Sequence, residues 1–169
     1  MIYGKILGQV AESDIIDISG DVATLKSEYP KSAYAVKAVM IRAAQLATTD
    51  LQAAITEYKW ASDNAQELGV VHAARIRQAK LYLELGELEA AANIAEQQPY
   101  DNFASHYLEI LGDIAVKQAQ PEVAFDYYEQ ASEQLLGSDS AYASVLSLKM
   151  APLPKPAAAV VGSGAGSDE

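Results

Sequence analysis

Cysteine is absent from this chain of 169 residues, which excludes disulfides, thiolate metal sites and a cysteine nucleophile. That absence fits cytosol and periplasm alike. Long apolar runs are missing too. Nothing nears the run of about 18 apolar residues that a spanning helix needs. The start, Met1-Ile2-Tyr3-Gly4-Lys5, lacks the basic-then-apolar layout of a signal peptide. The chain is therefore cytosolic as it stands, or follows a targeting segment upstream of Met1. Positive charge is scarce: 12 Lys and Arg stand against 23 Asp and Glu, a net charge of −11 with a pI near 4.5. Proteins that grip a phosphate backbone bring an excess of Lys and Arg, so no nucleic-acid partner is expected. Large aromatic bulk is thin, with two Phe and one Trp.

What the chain has in abundance is alanine, 31 residues of it. Alanine is the best helix former, and its small side chain lets helix backbones approach closely. Half of the chain is hydrophobic by count, enough to bury a core and to exclude wholesale disorder. The length predicts one folded unit, two at most. The acidic excess is uneven. Residues 1–80 balance, whereas residues 81–148 hold twelve acids against Lys117 alone. Two readings stand beside each other: a solvated set of helix faces, or an acidic surface that steers a basic partner.

Helical periodicity runs from Tyr29 onward, cut at regular intervals by turn residues. The predicted helices cover about 31–47, 50–68, 71–85, 88–97, 101–118, 121–136 and 140–149. Thr49-Asp50-Leu51-Gln52 reads as a capping box with Thr49 at the N-cap, and Gly69 as the residue just past a helix end. Gly86 and Gly137 close two more helices, and Pro121 opens one. Before Tyr29 a weaker helix is read from Ile15, Ile16, Ile18, Val22 and Leu25, with Gly20 inside it and a turn at Ser13-Asp14. After the last helix, residues 151–169 read as a flexible Pro/Ala/Gly/Ser tail.

A repeat lies beneath this pattern. Ala54-x3-Tyr58-x2-Ala61 recurs as Ala124-x3-Tyr128-x2-Ala131, and Ala91-x3-Ala95 holds the same place between them, at intervals of 37 and 33 residues. Leu111-Gly112 precedes Ala124 at the expected spacing, with Ala79 as the Gly112 equivalent one repeat earlier. This resembles the tetratricopeptide repeat, a helix–turn–helix of about 34 residues with small side chains where paired helices touch. The signature tryptophan and most of the prolines are missing, so the repeats are degenerate. The expected fold class is all-α: a tetratricopeptide-like α-solenoid over residues 1–150. Its pairs fall at about 31–69, 70–99 and 101–137, with an N-terminal helix and a capping helix at 140–149.

Residues suited to catalysis are few. His72 and His106 are the two imidazoles, and neither belongs to a metal motif; both read as surface or groove histidines. His106-x-x-Glu109 would share one helix face, but no second such pair exists. Gly162-x-Gly164-x-Gly166 lies in the tail, where no phosphate cradle forms. Ser105-His106 lacks the strained turn and third partner of a nucleophile, and Glu84/Glu87 sits among other acids. The chain reads as non-enzymatic, with no cofactor and no metal.

A repeat solenoid binds through the face built from the first helix of each pair. In this register, Val36, Val39, Ala43 and Leu46 form the first stripe, read as core covered by the N-terminal helix. Ile76, Lys80, Leu83 and Glu84 form the second. His106, Glu109, Asp113 and Lys117 form the third. The last two are read as a partner-binding groove for an extended peptide.

The order of features resembles one family more closely. Glu28-Tyr29-Pro30-Lys31-Ser32-Ala33-Tyr34-Ala35 is followed by Arg75-x-Arg77-x-Ala79-Lys80-Leu81 and Leu85-Gly86-x3-Ala90-Ala91. Glu109-Ile110-Leu111-Gly112-Asp113-Ile114 and the Ala124 motif close the series. This is similar to the periplasmic domain of the YfgM-type ancillary subunit of the bacterial Sec translocon, from about Ser13 to Pro154. The resemblance implies an inner-membrane protein with one spanning helix and this domain in the periplasm. It implies association with the SecYEG channel and the chaperone PpiD, handing emerging chains onward, and negative regulation of a stress-response regulator. The spanning helix is absent from this chain, so the expected periplasmic face of the inner membrane gives way to the cytoplasm if no anchor exists upstream. A generic soluble tetratricopeptide adaptor is the alternative. An enzyme or carrier assembled on oligomerisation is the third reading.

Overall fold

Helices are what the alanines and the turn residues produce. The computed structural model describes residues 2–12, 17–97, 102–135 and 140–156, and among these all regular structure is helical. The elements are α1 (Ile2–Glu12), α2 (Ser19–Glu28), α3 (Ala33–Leu46), α4 (Leu51–Asn64), α5 (Leu68–Leu85), α6 (Leu88–Glu96), α7 (Ala104–Lys117), α8 (Pro121–Glu133) and α9 (Ser140–Met150). Each helix packs on the next, and α1 also touches α3 as α5 touches α7. That is the neighbour-only contact pattern of an α-solenoid. First helices α1, α3, α5 and α7 alternate with second helices α2, α4, α6 and α8, and α9 follows as a terminal first helix.

The N-terminal segment departs from the single weak helix expected there. It forms a further pair, α1 and α2, so four pairs precede α9. Ile6 and Ile18 are fully buried with Val22 and Leu25, and they cover Val36, Val39 and Ala43 of α3. The first stripe is thus core, as its apolar character implied. Gly20 lies in the first turn of α2, where the entropic cost that glycine carries in a helix interior is smaller. Ser13, Asp14, Ile15 and Ile16 lie outside the described residues, as do Gly137 and residues 157–169 of the expected tail.

Several helix boundaries differ for identifiable reasons. Asp50, not Thr49, is the N-cap of α4: its Oδ1 accepts the Ala53 N–H at 3.0 Å. Thr49 instead closes the preceding turn by donating its N–H to the Leu46 carbonyl at 2.9 Å. Gln52 turns outward and donates to Glu87 at 2.8 Å. Helix α4 ends at Asn64, whose amide donates to the Trp60 carbonyl at 2.9 Å, rather than at Leu68. Gly69 consequently sits in the first turn of α5, not past a helix end. At the start of α3, Ser32 Oγ accepts the Tyr34 N–H at 3.2 Å, placing the start two residues after the expected Lys31.

Close approach at the repeat alanines fixes the pairing. Ala54, Ala61, Ala91, Ala124 and Ala131 are each fully buried. Tyr58 and Tyr128 fill the adjoining space at 3% and 2% exposure. An especially close contact joins α7 to α8. A Cβ placed on Gly112 would lie 2.6 Å from Cδ1 of the Tyr128 ring, inside any tolerable carbon–carbon distance. One repeat earlier, alanine stands in both places, Ala79 and Ala95, and no glycine is needed. The turns repeat as well: Gly86 has φ 76° and Ala119, 33 residues on, has φ 57°. Glycine adopts this left-handed backbone freely, whereas alanine pays a steric cost there.

Three outcomes follow for unfolding in urea. Gly112→Ala lowers stability by about 1–3 kcal/mol through overpacking, despite alanine's higher helix propensity. In a Tyr128→Leu background most of that penalty disappears, because the ring that blocks the new methyl is gone. Ala119→Gly raises stability by about 1 kcal/mol by relieving the left-handed strain.

Candidate functional site

Lys80, Glu109 and Asp113, expected to line a groove, do come together, but around residues from the end of the chain. Glu109, on α7, is 3% exposed. Its Oε2 accepts from Lys80 Nζ of α5 at 2.9 Å and from the Tyr142 hydroxyl of α9 at 2.9 Å. Its Oε1 accepts from Lys149 Nζ of α9 at 2.7 Å. Lys149 also reaches Asp113, one turn on, at 2.6 and 2.8 Å. The Tyr128 hydroxyl donates to the same Asp113 at 2.6 Å, and the Lys149 ammonium lies 5.5 Å from the Tyr128 ring centre. A single ladder of charge therefore crosses the adjacent first helices α5, α7 and α9.

The other expected groove residues go elsewhere. Leu83 is buried in the cluster of α5, α6 and α7 with Ile110 and Tyr107, and Ile76 packs against that cluster. Neither lies on an open stripe; three- and four-residue spacing cannot by itself separate the core edge of a helix face from its solvent edge. His106 is half-buried with its ring 4.6 Å from that of Tyr142. Glu84 and Lys117 are exposed. His72, read as a surface or groove residue, is instead 4% exposed. It is paired through Nδ1 with the Tyr107 hydroxyl at 2.7 Å and stacked 4.5 Å from Phe103. Both of those partners come from sequence about one repeat later, which is why the position looked isolated in the sequence.

Tyr142 and Lys149 complete the ladder although neither is among the expected groove residues. Their seven-residue spacing puts them on one face of α9, and Lys149 is the only base in that helix, which is the signal that could have found them. Burial alone would push the Glu109 carboxyl up. Hydrogen bonds and charges from Lys149 and Lys80 outweigh that and hold it at about 2, below the usual 4.5. Burial would also pull the Lys149 ammonium down, but Asp113 and Glu109 keep it above its ordinary value. Burial and the same two carboxylates push the Tyr128 and Tyr142 phenols up.

Two of the open cavities are products of the repeat. One of about 500 Å³ is lined by Lys26, Arg42 and Glu57, another of about 460 Å³ by Lys59, Arg75 and Asp63. Lys26 and Lys59, like Arg42 and Arg75, are 33 residues apart, so these are successive clefts between neighbouring second helices. A third, of about 470 Å³, is ringed by Ile2, Tyr3, Leu25, Tyr29 and Tyr34. Among the described residues no group of three His, Asp or Glu is placed to hold a metal ion.

The ladder gives a pH dependence of defined sign. A carboxylate held below its unfolded pKa stabilises the fold above that pKa and loses its contribution as pH falls through the folded value. The raised Lys149 and tyrosine pKa values act oppositely, with their contribution lost as pH rises above about 10. Glu109→Gln is expected to cost about 2–3 kcal/mol at pH 7, since it leaves two ammonium groups facing a neutral amide. The gap between the two proteins should close between about pH 4.5 and pH 2, read from urea unfolding at each pH.

Among protein families, the tetratricopeptide repeat-like domain matches residues 1–155 of the chain. Comparison with curated proteins and with solved structures gives no match.

Proposed function

The chain belongs to the tetratricopeptide repeat-like domain family, and on that premise we propose that it is an adaptor that binds a protein segment along its row of first helices. Such domains are typically non-enzymatic protein-interaction modules. The observation that carries the reading is the ladder Lys80–Glu109–Lys149, which ties three consecutive first helices together at fixed spacing. A row held this way meets a partner already ordered, so less conformational entropy is lost on binding. Beside the ladder, Glu84 and Lys117 are open to solvent, and the Lys80 side chain keeps 42% of its exposure. Donors and acceptors of both signs on one face suit the backbone and side chains of an extended peptide.

The finer reading rests on the resemblance to the YfgM-type subunit. In it, the domain lies at the periplasmic face of the inner membrane and engages SecYEG and PpiD, passing translocated chains onward. The order of the motifs from Glu28 to Ala131 supports it. It needs a membrane anchor, and among the described residues no helix is long and apolar enough to cross a membrane.

A photo-crosslinking residue placed at Glu84 or Lys117 in cells tests both readings. Adducts with a partner protein are expected from these positions and not from Thr56, an exposed position on second helix α4. Equal trapping from Thr56, or none from Glu84 and Lys117, overturns the adaptor face. Adducts that contain neither SecYEG nor PpiD overturn the finer reading and leave the adaptor standing.

A further inference from the structure

A solenoid usually ends in a helix whose outer face is polar; in α9 the exposed serines Ser144 and Ser147 share the solvent side with an apolar flank. Its inner face carries Tyr142, the fully buried Leu146 and Lys149. Its apolar flank carries Ala141, Val145 and Leu148 at four- and three-residue spacing, with Val145 44% and Leu148 76% exposed. The single charge of the helix, Lys149, is spent on the ladder, so that outer stripe is uncharged on a chain of net −11. Helix α8, packed against α9, carries an exposed apolar residue of its own. Tyr127 packs into the cluster shared with α9, and Val123, one turn before it on α8, is 43% exposed. Farther round α8 stand Asp126 and Glu133, exposed, in a helix that contains no base.

Each earlier first helix is covered by the second helix that follows it. Among the described residues α9 has no such successor. We propose that this edge docks one amphipathic basic α-helix of a partner protein. The helix lays its apolar stripe over Val123, Val145 and Leu148, and places Lys or Arg against Asp126 and Glu133. Charge complementarity selects this occupant. A second copy brings the same acidic α8 edge and the same net charge. Residues 157–169 of the chain itself contain Asp168 and Glu169 and neither Lys nor Arg. The surface uses the flank of α9 that carries Val145 and Leu148 and not the exposed residues Glu84 and Lys117, so the two readings stand or fall independently.

Because the chain has no cysteine, Leu148→Cys creates a unique labelling site on an exposed side chain. The probe is a synthetic amphipathic peptide with Leu at helical spacing and Lys elsewhere, compared with a scrambled peptide of the same composition. An environment-sensitive dye at position 148 is expected to report saturable binding of the first. The scrambled peptide should bind about tenfold or more weakly, and so should the Asp126→Lys/Glu133→Lys and Val145→Asp variants. Added salt weakens the contact, while Glu84→Ala/Lys117→Ala leaves it unchanged. Equal binding of the scrambled peptide, or no effect of the variants, overturns the proposal. So does a dimer linked through position 148, which makes a second copy the occupant, or a crosslink from 148 into residues 157–169.

Discussion

The distance between paired helices is the constraint on which the rest of this structure depends. Where α7 meets α8, the ring of Tyr128 lies so close over Gly112 that no side chain fits between them. Elsewhere the same closeness is reached with alanine, at Ala79 and Ala95 or at Ala54 and Ala61, all at or below 5% exposure. Packing at this density transmits position: once one pair is set, the next helix has little freedom in where it lies. The short turns do the rest, and their left-handed residues at Gly86 and Ala119 recur at the repeat interval.

That spacing brings the charged side chains into line. Lys80, Glu109 and Lys149 come from helices far apart in sequence, yet they meet at 2.7–2.9 Å because the first helices are stacked in register. A carboxylate as buried as Glu109 is costly to desolvate, and it is stable here because two ammonium groups and the Tyr142 hydroxyl all donate to it. The ladder then does what an apolar contact cannot do as selectively. It specifies which helix follows α7 in the row, since α9 offers Tyr142 and Lys149 on one face at the spacing that Glu109 and Asp113 require. The acidic excess of the second half of the chain thus divides in two. Glu109 and Asp113 hold the row together, while Glu122, Asp126, Glu129 and Glu133 remain on the solvent side of α8.

Much of the fold is legible in the sequence, because it depends on local signals that act within a few residues. The alanine and tyrosine spacing marks the second helices, Pro121 opens α8, and Gly86 closes α5 with a left-handed backbone. The misplacements arise where two signals compete within one turn. Thr49 and Asp50 could each cap α4, and the choice went to the carboxylate that reaches the Ala53 N–H. Gly69 could end one helix or begin the next, and Asn64 ended α4 first. The α1–α2 pair was harder to read because its second helix carries neither the alanine motif nor a side-chain cap, and it is held by burial of Ile18, Val22 and Leu25 instead.

By itself the sequence determined the all-helical class, the repeat interval and the small-residue positions where paired helices touch, because periodicity and side-chain size act locally and are written residue by residue. It also determined the overall acidity and the absence of thiol chemistry. Only the tertiary structure decided which charges are internal and which are open. Glu109 and Glu84 look alike in sequence, each an acid on a stripe of three- and four-residue spacing. Stacking buries the first between two lysines and leaves the second in water, because the environment of a side chain on a solenoid is completed by the helices before and after its own.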